Sequence, residues 1–163
     1  MRYYPANLNL EGKVCIVFGG GRVAERKVKN ILLCGGKVKV VSPELTPLLS
    51  RRRARGEIEH IQALYQKRYL RGASFAFAAT SDRDINARIA TDATQAGLLV
   101  NVCDSARESS FILPAVLRCR GITLAVSTDG LSPAKAVCVR DRLKEWIGEG
   151  EICCPGKKNR KAG

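Results

Sequence analysis

The chain has 163 residues, of which 45% are hydrophobic and 26% are charged, and its formal net charge is +13 at pH 7. This length suits one domain with a hydrophobic core and a small appendage, and the composition excludes a largely disordered chain. No apolar stretch reaches the roughly 20 residues of a membrane span, and residues 1–5 lack the apolar core of a signal peptide, so a cytoplasmic protein is expected.

The first predicted strand, Val14–Phe18, leads through three glycines into a predicted helix over residues 23–34. Gly19, Gly21 and Ala24 form the pattern G-x-G-x-x-A at the junction of strand and helix, which is typical of dinucleotide-binding proteins. Gly19 allows the tight turn, Gly21 lets the backbone approach a diphosphate, and the helix N-terminus offers N–H groups to it. An ordinary flexible turn is the alternative interpretation.

The second predicted strand, Val38–Val41, is followed by a serine and a proline that predict the start of a helix reaching about Ala54. Many NAD-binding proteins place an acidic residue here to hold the ribose hydroxyls. This chain offers Ser42 and Glu44 instead, so ribose contact and simple helix capping are both open. No arginine follows this strand directly, which favours NAD over NADP.

Three further strands and one helix complete the first part of the chain. The strands are predicted over Ile58–Leu64, Ser74–Ala79 and Leu98–Val102. The helix is predicted over residues 83–96 and is capped by Thr80-Ser81-Asp82. The order of elements predicts a Rossmann-like, doubly wound parallel sheet. Small residues after the fourth strand would let a cofactor lie against the backbone. The predicted cofactor-binding residues are Gly19, Gly20, Gly21, Arg22, Val23, Ser42, Pro43, Glu44, Ala79 and Thr80.

Asp104 follows the fifth strand, at the sheet edge where ligands of such folds bind. A partly buried carboxylate there would serve as a general base. Aspartate is also common in turns that end strands, so a purely structural role is the alternative.

The pattern changes after residue 104. Strand-like runs over Phe111–Leu117 and Ile122–Ser127, linked by Arg118–Gly121, predict a β-hairpin, and Ser132-Pro133 caps a helix over residues 134–147. A hairpin and one helix cannot bury both faces of their strands, so a homodimer through this segment is expected. The loop 127–133 suits either carboxylate binding or an ordinary capped turn.

Two basic clusters carry much of the charge, Arg51-Arg52-Arg53 with Arg55 and residues 157–161. Nucleic acid is not expected as a partner, because the basic-plus-aromatic pattern of RNA-binding sheets is absent. A small, highly carboxylated substrate explains the charge equally well. The seven cysteines include no C-x-x-C pair and the chain has one histidine, so no metal site is predicted.

Several motifs together resemble the N-terminal module of siroheme synthase, the precorrin-2 dehydrogenase and sirohydrochlorin ferrochelatase family. The resemblance spans about Leu8 to Trp146 and is carried by residues 19–27, 77–82, 101–104, 110–115 and 125–134. It implies NAD-dependent oxidation of precorrin-2 to sirohydrochlorin and, in some members, insertion of ferrous iron. It also implies dimerisation through the segment after the dinucleotide-binding unit.

By this resemblance, Asp104 is the catalytic residue and accepts a proton while the macrocycle loses a hydride. The substrate-binding residues would be Asn101, Ser127, Thr128 and Ser132. Asp129 departs from the family, which usually has a glycine there. Fuller members carry a further helical domain, so dehydrogenation is favoured over iron insertion here.

The expected organisation is an NAD-binding domain over residues 1–104, a dimerisation and active-site segment over 105–150, and a basic, disordered tail over 151–163. The rival hypothesis is a non-catalytic NAD-binding or redox-sensing module whose basic tail engages a partner.

Overall fold

The computed structural model describes residues 2–119 and 121–148. It divides into two compact units, the first ending at Ile112 and the second beginning at Leu113. The elements of the first unit are β1 (Val14–Phe18), α1 (Arg22–Leu33), β2 (Lys37–Val41), α2 (Pro47–Ala54), β3 (Ile58–Ile61), a 3₁₀ turn (Lys67–Leu70), β4 (Phe75–Ala78), α3 (Arg83–Gln95) and β5 (Leu99–Val102). The second unit contains β6 (Ala115–Cys119), β7 (Ile122–Val126) and α4 (Pro133–Gly148).

The five strands of the first unit form one parallel sheet in the order β3-β2-β1-β4-β5. This arrangement confirms the predicted Rossmann-like, doubly wound fold. Because all the strands run in the same direction, their carboxyl ends line a single edge. The strand order reverses beside β1, and the crevice at such a reversal is where ligands of this architecture bind.

Both faces of the sheet are covered by helices, which explains why its strands read as nearly continuous apolar runs. Cys15 and Val17 of β1 are fully buried on the face that α1 and α2 cover. Ile16 and Phe18 alternate with them and are buried on the α3 face. The core is therefore split into two layers by the sheet, and β1 lies at its centre.

The start of α2 differs from the prediction. The helix begins at Pro47 and not beside Pro43, and Thr46 is its N-cap, with the Thr46 hydroxyl accepting from the backbone N–H of Leu49 at 3.5 Å. The sequence offers two hydroxyl-proline pairs in succession, and both suit a helix start. The second one prevails because Ser42 is buried and hydrogen-bonded within its own turn.

Two strands are also shifted or shorter than predicted. β3 ends at Ile61 and not at Leu64, and the chain beyond it turns so that the Tyr65 ring meets Phe18 edge-on at 4.9 Å. β6 begins at Ala115 and not at Phe111, because the Phe111 ring packs edge-on against Phe77 at 5.7 Å in the first unit. Aromatic packing therefore takes both segments out of strand pairing.

Tyr65 also ties this turn to α3, since its hydroxyl donates to Asp92 Oδ2 at 2.7 Å and Lys67 Nζ lies 3.0 Å from Asp92 Oδ1. The hydrogen bond from Tyr65, reinforced by Lys67, lowers the pKa of Asp92. Because the pKa of Asp92 is lower in the folded protein than in the unfolded chain, these contacts stabilise the fold at a pH above the unfolded-state pKa. That stabilisation is lost as the pH falls through the folded-state pKa.

Tyr65→Phe is therefore expected to cost about 1–2 kcal/mol of unfolding free energy near neutral pH, because it removes a hydrogen bond to a charged group. The difference from the wild-type protein should be present near neutral pH and should diminish at an acidic pH below the lowered pKa of Asp92. Urea unfolding at the two pH values measures it. Tyr69→Phe is the matched control, because the Tyr69 hydroxyl lies 3.2 Å from the side chain of the exposed Arg68. An equal loss at both pH values would contradict the linkage.

The second unit is the predicted antiparallel hairpin followed by a helix. Among its described apolar residues, Ala136 and Ile147 are buried, whereas Ile122, Val137 and Val139 are at least 39% exposed. The predicted tail, with Cys153 and Cys154, lies outside the described residues. In the part of the chain that the structure describes, no helix is both long and apolar enough to cross a bilayer.

Candidate functional site

The loop between β1 and α1 packs closely against two neighbouring strand exits. Gly19 has φ +115, and a Cβ there would overlap the carbonyl of Ala79 just after β4. A Cβ on Gly20 would overlap the carbonyl oxygen of Glu44 and lie 2.6 Å from Ser42 Oγ, both beyond β2. The first two glycines are therefore required by the packing of the protein itself.

Gly21 differs from them. It is the N-cap of α1, with φ −88, no side-chain cap, and nothing within 4 Å of where a Cβ would stand. The first-turn N–H groups of a helix need partners from outside it. The space next to these N–H groups is open at Gly21. The neighbouring residues Arg22 and Val23 are exposed. A diphosphate bound at a helix N-terminus fits this arrangement.

The turn after β2 is fixed from several sides. Ser42 is 3% exposed, and its hydroxyl donates to the Glu44 carbonyl at 2.7 Å. His60 Nε2 lies 3.0 Å from the Ser42 carbonyl oxygen, and the backbone N–H of Thr46 donates to Gly20 O at 3.0 Å. The Ser42 hydroxyl thus shapes the turn and does not cap a helix. Pro43 and the Glu44 side chain are exposed beside it, and ribose contact stays a prediction.

Beyond β4, Ala79 is 7% exposed and its N–H donates to Phe18 O at 2.8 Å, which extends the sheet by one residue. Thr80 follows and is hydrogen-bonded to Asn86 of α3, whose Oδ1 accepts from the backbone N–H of Thr80 at 3.1 Å. The predicted cofactor residues after β1, β2 and β4 are therefore together at the carboxyl edge of the sheet.

Asp104 lies at the same edge, just beyond β5, and its side chain is 40% exposed. Asn86 Nδ2 donates to Asp104 Oδ2 at 3.0 Å, and the Arg83 guanidinium lies 3.5 Å from Oδ1. Arg83 also pairs with Glu108, and that hydrogen bond raises the pKa of Arg83. The Asp104 carboxylate is thus oriented by α3 and accessible from outside, which suits a proton acceptor.

Asn101 occupies the opposite face of the sheet from Asp104 and is 4% exposed. Its Oδ1 accepts from Lys27 Nζ at 2.9 Å and its Nδ2 donates to the Phe111 carbonyl at 3.0 Å. Burial lowers the pKa of Lys27 and raises the pKa of the neighbouring Cys103 thiol. Both ends of the Asn101 amide are engaged, which favours a packing role. Substrate contact by Asn101 stays a prediction.

The three predicted hydroxyl residues of the second unit lie in one loop. Ser127 Oγ accepts from the Asp129 N–H at 3.2 Å, Thr128 Oγ1 from the Ser132 N–H at 3.0 Å, and Ser132 Oγ from the Lys135 N–H at 3.3 Å. Ser132 thereby caps α4. Asp129 has φ +52, a left-handed conformation that favours glycine and that aspartate tolerates better than most residues. The backbone at this position therefore suits the glycine that the family resemblance implies there.

The sequence prediction missed Asn86 and Lys27. Asn86 falls on the buried stripe of α3 with Ala90 and Ala93, and a polar residue on such a stripe is the signal that could have found it. Lys27 lies in the first half of α1, where its charge gives no sign of burial in the sequence. Within residues 2–119 and 121–148, no group of three or more His, Cys, Asp or Glu is placed to hold a metal ion.

Comparison with known proteins agrees with this geometry. Residues 6–115 match a family described as "Putative NAD(P)-binding". The chain is 39% identical over 150 residues to siroheme synthase from Chromobacterium violaceum, which covers 92% of this chain and 32% of that protein. It is 36% identical over 147 residues to siroheme synthase 1 from Aeromonas salmonicida, covering 90% and 31%. The chain therefore spans about a third of the length of these relatives.

Among solved structures, SirC, a precorrin-2 dehydrogenase, superposes with a TM-score of 0.74 and 27% identity over 90% of this chain and 70% of that one. The family match bears out the NAD cofactor that the glycine pattern predicts. The chain belongs to this NAD(P)-binding family, and about nine-tenths of it is similar to siroheme synthase and to SirC.

Proposed function

We propose that the protein oxidises precorrin-2 to sirohydrochlorin with NAD as the hydride acceptor. The observation that carries the proposal is the position of Asp104, an accessible and oriented carboxylate at the same sheet edge as the glycine loop. The relatives named siroheme synthase and precorrin-2 dehydrogenase support the substrate. The net charge of +13 suits a macrocycle that carries many carboxylates.

The reaction removes two electrons and two protons from the substrate, since a hydride goes to NAD and a further proton goes to a base. NAD supplies the hydride acceptor when it is bound. The N–H groups of the first turn of α1, beside Gly21, would hold its diphosphate, and the chain beyond Ala79 would line its path along the sheet edge. Asp104 would accept the proton on its accessible side and release it to solvent.

The decisive assay incubates the purified protein with NAD and precorrin-2 and follows NADH absorbance. NADH formation in proportion to enzyme is the expected result. A protein that binds NAD by calorimetry but forms no NADH would overturn the proposal and favour the non-catalytic, redox-sensing alternative. Adding ferrous iron afterwards, and following the macrocycle's absorption, tests iron insertion, which the family resemblance implies in some members and which stays a prediction.

We propose further that the protein is a cytoplasmic homodimer formed through its second unit. The apolar residues Ile122, Val137 and Val139, exposed on the hairpin and α4, support this assembly, since a second copy would bury them. The loop of Ser127, Thr128 and Ser132 would then contact the substrate. Sedimentation equilibrium at micromolar concentration should give twice the 17.8 kDa chain mass. A monomer, unchanged by Val137→Asp, would contradict the assembly.

A further inference from the structure

Asn86 is the most deeply buried polar residue at the candidate site, with 1% of its surface exposed. It lies at the start of α3, between Thr80 after β4 and Asp104 after β5. A buried amide is stable only if its donors and acceptor find partners. Asn86 finds all of them in two residues, and one of these is the proposed catalytic carboxylate.

The orientation of the Asn86 amide follows from its neighbours. The backbone N–H of Thr80 can only donate, and it lies 3.1 Å from Oδ1. The Thr80 hydroxyl is 2.8 Å from the same oxygen, and Nδ2 donates to the Thr80 carbonyl at 3.1 Å. Turning the amide over would oppose donor to donor and acceptor to acceptor. Thr80 therefore keeps Nδ2 directed at Asp104.

This fixed donor distinguishes the two oxygens of Asp104. Oδ2 accepts from Asn86 Nδ2 at 3.0 Å, whereas Oδ1 lies 3.5 Å from the Arg83 guanidinium. With Oδ2 engaged, Oδ1 is the oxygen better placed to receive a proton. Asn86 thus fixes the orientation of the Asp104 carboxyl group and determines which of its oxygens is left to receive a proton.

Other charged and titratable groups also surround this carboxyl, and they come from three elements. They are Arg83 on α3, Cys103 next to Asp104, Glu108 in the loop after β5, and Lys27 on α1, which acts through Cys103. Arg83 is 46% exposed and shared with Glu108, so its effect on Asp104 is screened by solvent. Asn86 is the buried and geometrically fixed partner of the set.

We infer that Asn86, held by Thr80, is a positioning residue that fixes the Asp104 carboxylate through Oδ2 and so presents Oδ1 to the proton it removes. The inference rests on the proposed dehydrogenation for its kinetic consequence. Its geometric part, the coupling between Asn86 and the Asp104 carboxyl, belongs to the first unit alone and can be tested without turnover.

The experiment compares the wild-type protein with Asn86→Ala, Asn86→Asp and the control Tyr65→Phe. Carbon NMR of the Asp104 carboxyl at neutral pH reports its hydrogen bonding without turnover, and steady-state NADH formation gives kcat and KM. Asn86→Asp is nearly isosteric and still accepts from the Thr80 N–H, but it has no donor for Asp104. It therefore removes the same hydrogen bond if the alanine variant does not fold. Tyr65→Phe weakens the attachment of α3 at its other end without touching Asp104.

Both Asn86 variants should change the carbon signal of the Asp104 carboxyl, because both lose the donor to Oδ2. In both, kcat should fall about ten- to a hundredfold at unchanged KM for NAD. Tyr65→Phe should move neither.

An Asp104 carboxyl signal that is the same in the wild type and in both Asn86 variants would overturn the inference, even in a fully active enzyme. A signal that changes as expected supports it, even if the wild-type protein forms no NADH. In that case the proposed dehydrogenation alone would fail.

Discussion

Asp104→Asn should lower the rate of NADH formation from precorrin-2 by about 10²–10⁴-fold, the usual contribution of a positioned general base. The amide has nearly the same shape as the carboxylate but cannot take up a proton at neutral pH. The Asn86 donor and the Arg83 guanidinium would still surround the side chain. The affinity for NAD, measured by calorimetry, should change by less than about threefold, because the glycine loop is untouched.

Asp84→Asn is the matched control for this prediction. Asp84 is an exposed carboxylate in the first turn of α3. Like Asp104 it interacts electrostatically with Arg83, but it lies outside the proposed site. It should keep turnover within a few-fold of the wild type and cost at most about 1 kcal/mol through the helix dipole. If Asp104→Asn formed NADH at the wild-type rate, Asp104 would not be the base, whatever its position.

Much of the sheet could be predicted from the sequence because its signals are local. The glycine pattern after β1, the apolar runs of the strands, and the Asp82 cap of α3, whose carboxylate accepts from the Asp84 and Ile85 N–H groups, each lie within a few residues. The start of α2 could not be resolved in the same way. Ser42 and Thr46 both precede a proline, and only the burial of Ser42 against the glycine loop decides between them.

The residues that support the site could not be predicted from the sequence for a related reason. Asp104 is recognisable from its place after a central strand, but its partner Asn86 is 18 residues earlier, on a helix. Lys27 and Asn101 meet across 74 residues. Such pairings depend on strand order and on which face each residue occupies, so they appear only once β4, β5 and α3 are assembled.

The three glycines after β1 provide the second large prediction, because the structure separates their roles. Gly20→Ala would force a Cβ into the Glu44 carbonyl and to 2.6 Å from Ser42 Oγ. Backbone cannot move aside as a flexible side chain does, so we expect a loss of about 3 kcal/mol or more of unfolding free energy. Thermal or urea unfolding without any ligand measures this loss. An unchanged midpoint would contradict the close packing of the loop.

Gly21→Ala is the opposite case and the matched control. Its φ of −88 suits alanine and its Cβ would stand in open space, so the free protein should unfold within about 1 kcal/mol of the wild type. The same space is where the diphosphate of NAD would approach the backbone. We therefore expect NAD affinity, measured by calorimetry, to fall at least about tenfold, or about 1.4 kcal/mol. If the Gly21→Ala protein binds NAD as tightly as the wild type, the diphosphate does not bind at this helix terminus. Gly20→Ala is expected to lower stability, whereas Gly21→Ala is expected to lower NAD affinity in a protein of nearly unchanged stability. A general loss of folding therefore cannot account for the weaker binding of NAD.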